Sequence, residues 1–175
     1  DLRYLSTDAG GSATASVTVD VSEDAGQHSQ LDWTVDLQPE DDDGVGQTVT
    51  FTGRVIYPPR FGDLSMSDTS LVFDEPRSEV NEHTQTVTVD VPNDGDQTMN
   101  VQGASAGTDS NQVSATVTDY DQQIDGQSSG EVTVEVAADP ATPEGSYSLS
   151  VDVQSEEDGS ESVSSNVDIT HDVEL

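Results

Sequence analysis

From Leu31 to Leu37 the chain reads Leu-Asp-Trp-Thr-Val-Asp-Leu, and apolar and polar residues alternate without a slip. A period of two belongs to a β-strand, whose successive side chains point to opposite faces. Leu31, Trp33, Val35 and Leu37 therefore share one face, and Asp32, Thr34 and Asp36 share the other. One face requires a core, and the other carries acid into solvent. This stretch holds the only tryptophan, and it reads as a central strand.

The pattern returns along the chain. Ala15, Val17, Val19 and Val21 are expected inward, as are Val49, Phe51, Val55 and Tyr57. So are Val87, Val89 and Val91, then Val113, Ala115 and Val117, then Val132, Val134 and Val136. Tyr147, Leu149, Val151 and Val153 follow, and Val163, Val167, Ile169, Val173 and Leu175 keep one parity to the end. Thr69–Phe73 adds a short strand. No segment carries the i, i+3, i+4 apolar spacing of a helix. About ten short strands separated by turn clusters predict an all-β fold, an antiparallel β-sandwich of immunoglobulin-like or jelly-roll type.

Residues 1–12 are set apart by Gly10-Gly11 and read as an N-terminal arm, leaving 13–175 as the sandwich domain. The chain opens at Asp1 rather than methionine, which reads as a processed or trimmed product. Gly53 falls in an inward slot and marks a bulge or a close backbone approach. Pro58-Pro59 ends a strand. Residues 58–68 then form a long loop bearing Phe61, Leu64 and Met66. Asn93-Asp94-Gly95-Asp96 is a compact turn, expected to join the strands on either side as a hairpin. Gly103–Ser110, rich in glycine and alanine, reads as flexible and as the weakest point for a domain boundary.

Charge constrains the medium. Thirty-six acids face four bases, all arginine, for a net charge of −32. Such a surface repels itself over roughly 30 Å at 0.01 M salt but over only about 3 Å at 1 M. Acid spread along every strand, with no lysine, resembles the proteins of extreme halophiles, haloarchaea and their viruses among them. Arg3, Arg54, Arg60 and Arg77 are scattered and form no basic patch, so no nucleic-acid partner is expected. No apolar run is long enough to span a bilayer as a helix. The absence of cysteine excludes a disulfide framework and a thiolate site.

A family resemblance enters at Pro143-Glu144-Gly145-Ser146-Tyr147-Ser148-Leu149-Ser150-Val151. Proline and glycine feeding Tyr-x-Leu-x-Val resembles the penultimate strand of immunoglobulin-like and fibronectin-III-like domains, which occur in haloarchaeal surface proteins. Thr84–Val91 is similar to a middle strand of such modules. The resemblance implies that Tyr147 packs at the corner entering its strand, and it implies a structural or binding role with no catalytic residue. Residues 38–68 are longer and more irregular than a minimal module, so the jelly roll of halophilic virus capsid proteins is the second resemblance.

Chemistry is sparse. His28, His83 and His171 are far apart and lack the His-x-x-x-His spacing of a zinc site. No Gly-x-Ser-x-Gly nucleophile elbow is expected. No Asn-x-Ser/Thr sequon occurs, so N-glycosylation is not expected. Calcium is the one candidate cofactor, and nothing requires it. Asp121, Gln123 and Asp125 occupy positions one, three and five of a loop with Gly126 at six, and Glu131 lies one residue short of position twelve. Asp41-Asp42-Asp43 and Asp94/Asp96 are further candidates. The expected function is a non-enzymatic structural subunit of an extracellular, cell-surface or virion assembly, with a binding or spacer module as the alternative. Its expected partner is itself or a related subunit, with no insertion into a membrane. Leu2, Tyr4 and Leu5 of the arm and Phe61, Leu64 and Met66 of the loop are the expected assembly contacts.

Overall fold

Alternation makes strands, and among the described residues it makes nothing else: the chain is all-β. The computed structural model describes residues 16–22, 26, 29–37, 46–73 and 83–171. The chain divides into two compact units, Asp1–Val55 and Ile56–Leu175. The boundary expected after residue 12 lies outside the described residues.

In the first unit, β1 (Gln30–Leu37) and β2 (Gln47–Arg54) form a two-stranded antiparallel sheet. Its register keeps the two faces apart. Trp33 sits opposite Phe51 and Val35 opposite Val49, while Asp32 faces Thr52 and Asp36 faces Thr48. Thr52 and Thr48 donate their hydroxyls to those two carboxylates. The Trp33 and Phe51 rings stack at 5.9 Å. Gly53 is the close approach that its inward slot implied, because a Cβ there would lie 3.0 Å from the indole. The rest of the expectation for this region is corrected. The tryptophan strand is not central to the main core, and Trp33 is only half-buried. Leu37 and Phe51 are exposed, and Val17, Val19 and Val21 lie exposed outside any strand. A two-stranded sheet has too little surface to bury a full face. Trp33→Ala should therefore cost this unit about 1–3 kcal/mol, the loss of a half-buried, stacked ring, rather than the larger cost of emptying a closed core. Thermal melts followed by circular dichroism in molar KCl measure it, and an equal cost for Asp32→Ala would overturn the face assignment.

The second unit is a sandwich. Its strands are β3 (Ser65–Met66), β4 (Thr69–Phe73), β5 (His83–Asn93), β6 (Met99–Thr108), β7 (Val113–Tyr120), β8 (Gln123–Ile124), β9 (Ser128–Ala138), β10 (Gly145–Ser155) and β11 (Gly159–His171). One sheet runs β3-β5-β9-β7 and the other β4-β11-β10-β6-β8. Every pair is antiparallel except β4 with β11. Four strands in one sheet and five in the other, with consecutive strands passing between them, make an immunoglobulin-like sandwich. The expected parity holds through its centre. Val87, Val89, Val91, Val132, Val134 and Val136 of the first sheet meet Leu149, Val151, Val153, Val167 and Ile169 of the second in one buried cluster. β-branched side chains suit these pleated inner faces.

Tyr147 sits where the family resemblance implied. It enters β10, and its hydroxyl donates to the Pro143 carbonyl at 2.9 Å. Such a tyrosine corner ties the connection from β9 to the strand it feeds. Tyr147→Phe should remove about 1 kcal/mol of stability with the fold intact; a guanidinium titration reads this, and an unchanged midpoint would mean the bond contributes nothing. Between β10 and β11, Gly159 takes a left-handed φ of 77°, which closes a short hairpin loop.

Two expectations are corrected here. The strands flanking Asn93–Asp96 do not pair as a hairpin, since β5 belongs to one sheet and β6 to the other. Gly103–Ser110 is not a flexible link, because most of it is β6, zipped along β10 from Thr108 to Val101 with one register shift. The last strand, β11, is covered on its outer side. β4 pairs with its final residues, and where that pairing stops Asp68 takes over. The Asp68 carboxylate accepts the Ser165 hydroxyl at 2.6 Å and the Asn166 N–H at 3.1 Å. Those bonds, the hydroxyl first, hold its carboxyl below the usual carboxylate range.

Candidate functional site

Loops gather at the two ends of an immunoglobulin sandwich, and polar chemistry is concentrated there. One end is built around Asn93, the last residue of β5, which is 1% exposed. A buried amide must find partners for both its oxygen and its N–H groups. Its Nδ2 donates to the carbonyls of Gln97 (2.8 Å), Ile124 (3.0 Å) and Asp125 (3.3 Å). Its Oδ1 accepts the Gly95 N–H (3.0 Å) and the Arg60 N–H (3.3 Å). One side chain thus ties the 60–62, 94–97 and 124–127 segments together. Gln127, held at a left-handed φ of 59°, does the same from outside. Its Nε2 donates to the Asp94 and Gly95 carbonyls at 2.7 and 2.9 Å. Only glycine fits at 95, because a Cβ would lie 2.2 Å from the Pro58 carbonyl oxygen.

The calcium candidates lie around this end, and Asp121, Gln123, Asp125 and Asp96 have side-chain hydrogen-bond partners there. The Asp121 carboxylate accepts the Glu131 N–H at 2.9 Å. Gln123 donates to the Asn100 side chain at 3.1 Å, and Asp125 accepts the Thr98 hydroxyl at 3.3 Å. Glu131 lies in β9 opposite Asp90. Asp96 accepts the Tyr57 N–H at 2.8 Å. Among the described residues no three acids or histidines gather as a metal would require. Carbonyl oxygens that a cation might have collected are met instead by the Asn93 and Gln127 amides. Asp41-Asp42-Asp43 lie outside the described residues.

The other end brings together two histidines that are far apart in sequence. His83 and His171 flank the buried Phe73 ring at 4.4 and 5.0 Å. The His171 Nε2 is 2.8 Å from the Thr142 carbonyl, an acceptor only, so that nitrogen carries the proton. Its Nδ1 is buried without a hydrogen-bond partner among the described residues. The Thr142 hydroxyl donates to the Gln112 carbonyl at 3.1 Å. Beside it lies an open cleft of about 470 Å³, bordered by Asn111, Gln112, Ser114 and Asp139. His28 lies outside the described residues.

Contrary to expectation, Gly103-Ala104-Ser105-Ala106-Gly107 does spell Gly-x-Ser-x-Gly. A nucleophile elbow needs a sharp turn from strand into helix. This pentapeptide runs extended inside β6, and no hydrogen bond joins Ser105 to a histidine among the described residues.

The expected assembly contacts divide. Leu2, Tyr4 and Leu5 lie outside the described residues. Phe61, Leu64 and Met66 are half-buried and pack against the main core, so the loop is less bare than its sequence suggests. Phe61 bridges to Asn93, and its N–H donates to Asp158 at 2.7 Å.

The fold and its ends define an immunoglobulin-type sandwich whose loops are tied down by amides. No family model matches this sequence, and neither does any curated protein. Solved structures similar to it include the secreted serine protease VesC of Vibrio cholerae, at 15% identity and a TM-score of 0.40, over 61% of this chain and 23% of that one. The VesB protease of Vibrio cholerae is similar at 16% identity and 0.38, over 61% of this chain and 31% of that one. A protein of unknown function from Porphyromonas gingivalis W83 follows at 11% and 0.39, over 85% of this chain and 69% of that one. The chain thus spans a third or less of the two proteases it matches, and likenesses this distant carry no argument about activity.

Proposed function

We propose that this chain is a non-enzymatic structural subunit of a surface assembly in an extreme halophile, a cell-surface filament or layer or a virion coat. The observation that carries the reading is the joining of a closed, tied-down sandwich to a solvent face made of acid. Asp90, Glu131, Glu135, Asp152 and Asp168 stand on the outward parity of its strands, backed by a net charge of −32. Short hydrated carboxylates on a rigid scaffold suit a protein exposed to hypersaline medium and asked to hold a shape. The polar groups at both ends are largely spent on backbone and loop partners, which favours architecture over catalysis. No cofactor is needed in this reading, and the setting is extracellular, on a cell surface or a virion.

A second reading has its own support. Two compact units in one chain, one of them an immunoglobulin-type sandwich, also suit a binding or spacer module within a larger secreted protein. Light scattering coupled to size exclusion in molar KCl separates the two. Concentration-dependent growth supports the subunit, and a strict monomer at high concentration sinks it in favour of the module.

A further inference from the structure

We infer that β6 is an open pairing edge through which a second copy of this chain docks, with the two Ser105 residues meeting at the two-fold axis; this rests on the structural-subunit reading. β8 lies beyond β6 in the sheet but covers only Met99 and Asn100. The Val101 N–H is taken by the Gln122 carbonyl. From Gln102 to Thr108, β6 has β10 on one side and no strand on the other among the described residues. An unpaired edge of this kind is a template for another strand, and proteins that must not use one blunt it.

The sandwich blunts its other edges. β3 and β8 are two residues long. β4 is five residues long and opens beside Asp68. β7 is broken by a register shift between Val117 and Asp119 and carries an outward acid there. β6 has no such device on its open side. The run Gln97–Thr108 is twelve residues without an acid or a base, the longest in a chain with 36 acids, and Asp96 and Asp109 bound it.

That charge gap selects the occupant. A basic partner would be drawn to the acid elsewhere on the surface, and this edge offers it nothing. A second copy, itself at −32, can come close only where like charges do not oppose. Paired antiparallel about Ser105, two copies set Gln102 against Thr108, Gly103 against Gly107 and Ala104 against Ala106. No charged pair arises within the ladder. Space permits the approach, since no described strand lies beyond this run and Gln102, Ser105 and Gly107 are exposed.

The chain has no cysteine, so Ser105→Cys introduces a single thiol. Directly opposed residues in an antiparallel pair have Cα atoms about 4.5–5.5 Å apart, within the span of a disulfide. In molar KCl with a mild oxidant, the Ser105→Cys protein should cross-link to a dimer about tenfold or more faster than Ser162→Cys, an exposed control on β11, because pairing raises the local thiol concentration. Ser105→Asp should abolish that dimer while circular dichroism shows the sheet retained. Equal cross-linking rates from a parent that grows in light scattering would overturn this edge and leave the subunit reading standing. Equal rates from a strictly monomeric parent would overturn both.

Discussion

Asn93→Ala should destabilise the sandwich unit by about 4 kcal/mol, near the upper end for one substitution. The reason is the partners left behind rather than the volume lost. Removing the amide strands the carbonyls of Gln97 and Ile124 and the N–H of Gly95. A buried polar group without a partner costs about 1–3 kcal/mol, and three are created together. Water cannot readily replace the amide where Gly95 presses on Pro58 and Gly126 on Asp96. Asn93→Asp tests the same point at constant size, since it turns a donor toward three carbonyls into an acceptor. Denaturant titration in molar KCl, with Asn166→Ala as an exposed control held to within about 0.5 kcal/mol, gives the comparison. If Asn93→Ala behaves like the control, Asn93 is not the tie that joins these loops.

Salt should have an all-or-none effect. In molar KCl the chain is expected to give a native β spectrum; diluted to tens of millimolar, it should unfold. Unscreened charge acts across roughly 30 Å at 0.01 M, a distance comparable with the domain, and across about 3 Å at 1 M. A local contribution adds to the global one. Asp90 and Glu131 stand directly opposite each other on the outer face of the β5–β9 ladder, and like charges so placed oppose pairing. Glu131→Gln should therefore move the unfolding midpoint to lower salt. Circular dichroism across a dilution series reads both effects. A spectrum unchanged at low salt would remove the halophilic reading, and a Glu131→Gln midpoint equal to the parent's would remove the local one.

How much of this was legible depended on the kind of information each element carries. Strands β5, β7, β9, β10 and β11 announce themselves, because Val87, Val113, Val134, Val151 and Ile169 each belong to a run of period two. Period alone does not say which core a face will meet. Leu31–Leu37 has the cleanest alternation in the chain, yet its sheet is two strands wide and Phe51 is exposed. The second half of β6 was hidden for the opposite reason. Its Gly-Ala-Ser-Ala-Gly centre has no β-branched residue, and the strand is imposed by pairing with β10, where tertiary context overrides local preference. The Asn93–Asp96 turn has the composition of a hairpin, but a turn sequence does not encode where the chain goes next. Asn93 looks like any turn asparagine until burial reveals its five partners. The histidine pair around Phe73 needed strand topology, not spacing, to bring it together.

The parallel pairing of β4 with β11 bears on how the sandwich would carry tension. Thr69 lies beside Val167 and Phe73 beside His171, so the leading end of β4 and the trailing end of β11 sit at opposite ends of the five-residue pair. A pull along the chain drags the two strands past each other lengthwise. The bonds between them are then loaded in shear, all at once, instead of being peeled one after another as in a hairpin opened from its tips. Rupture under such a load is a question of rate rather than of equilibrium. A strand pair mounted this way would let the unit transmit strain along a filament, or between neighbouring domains, before its core is asked to yield.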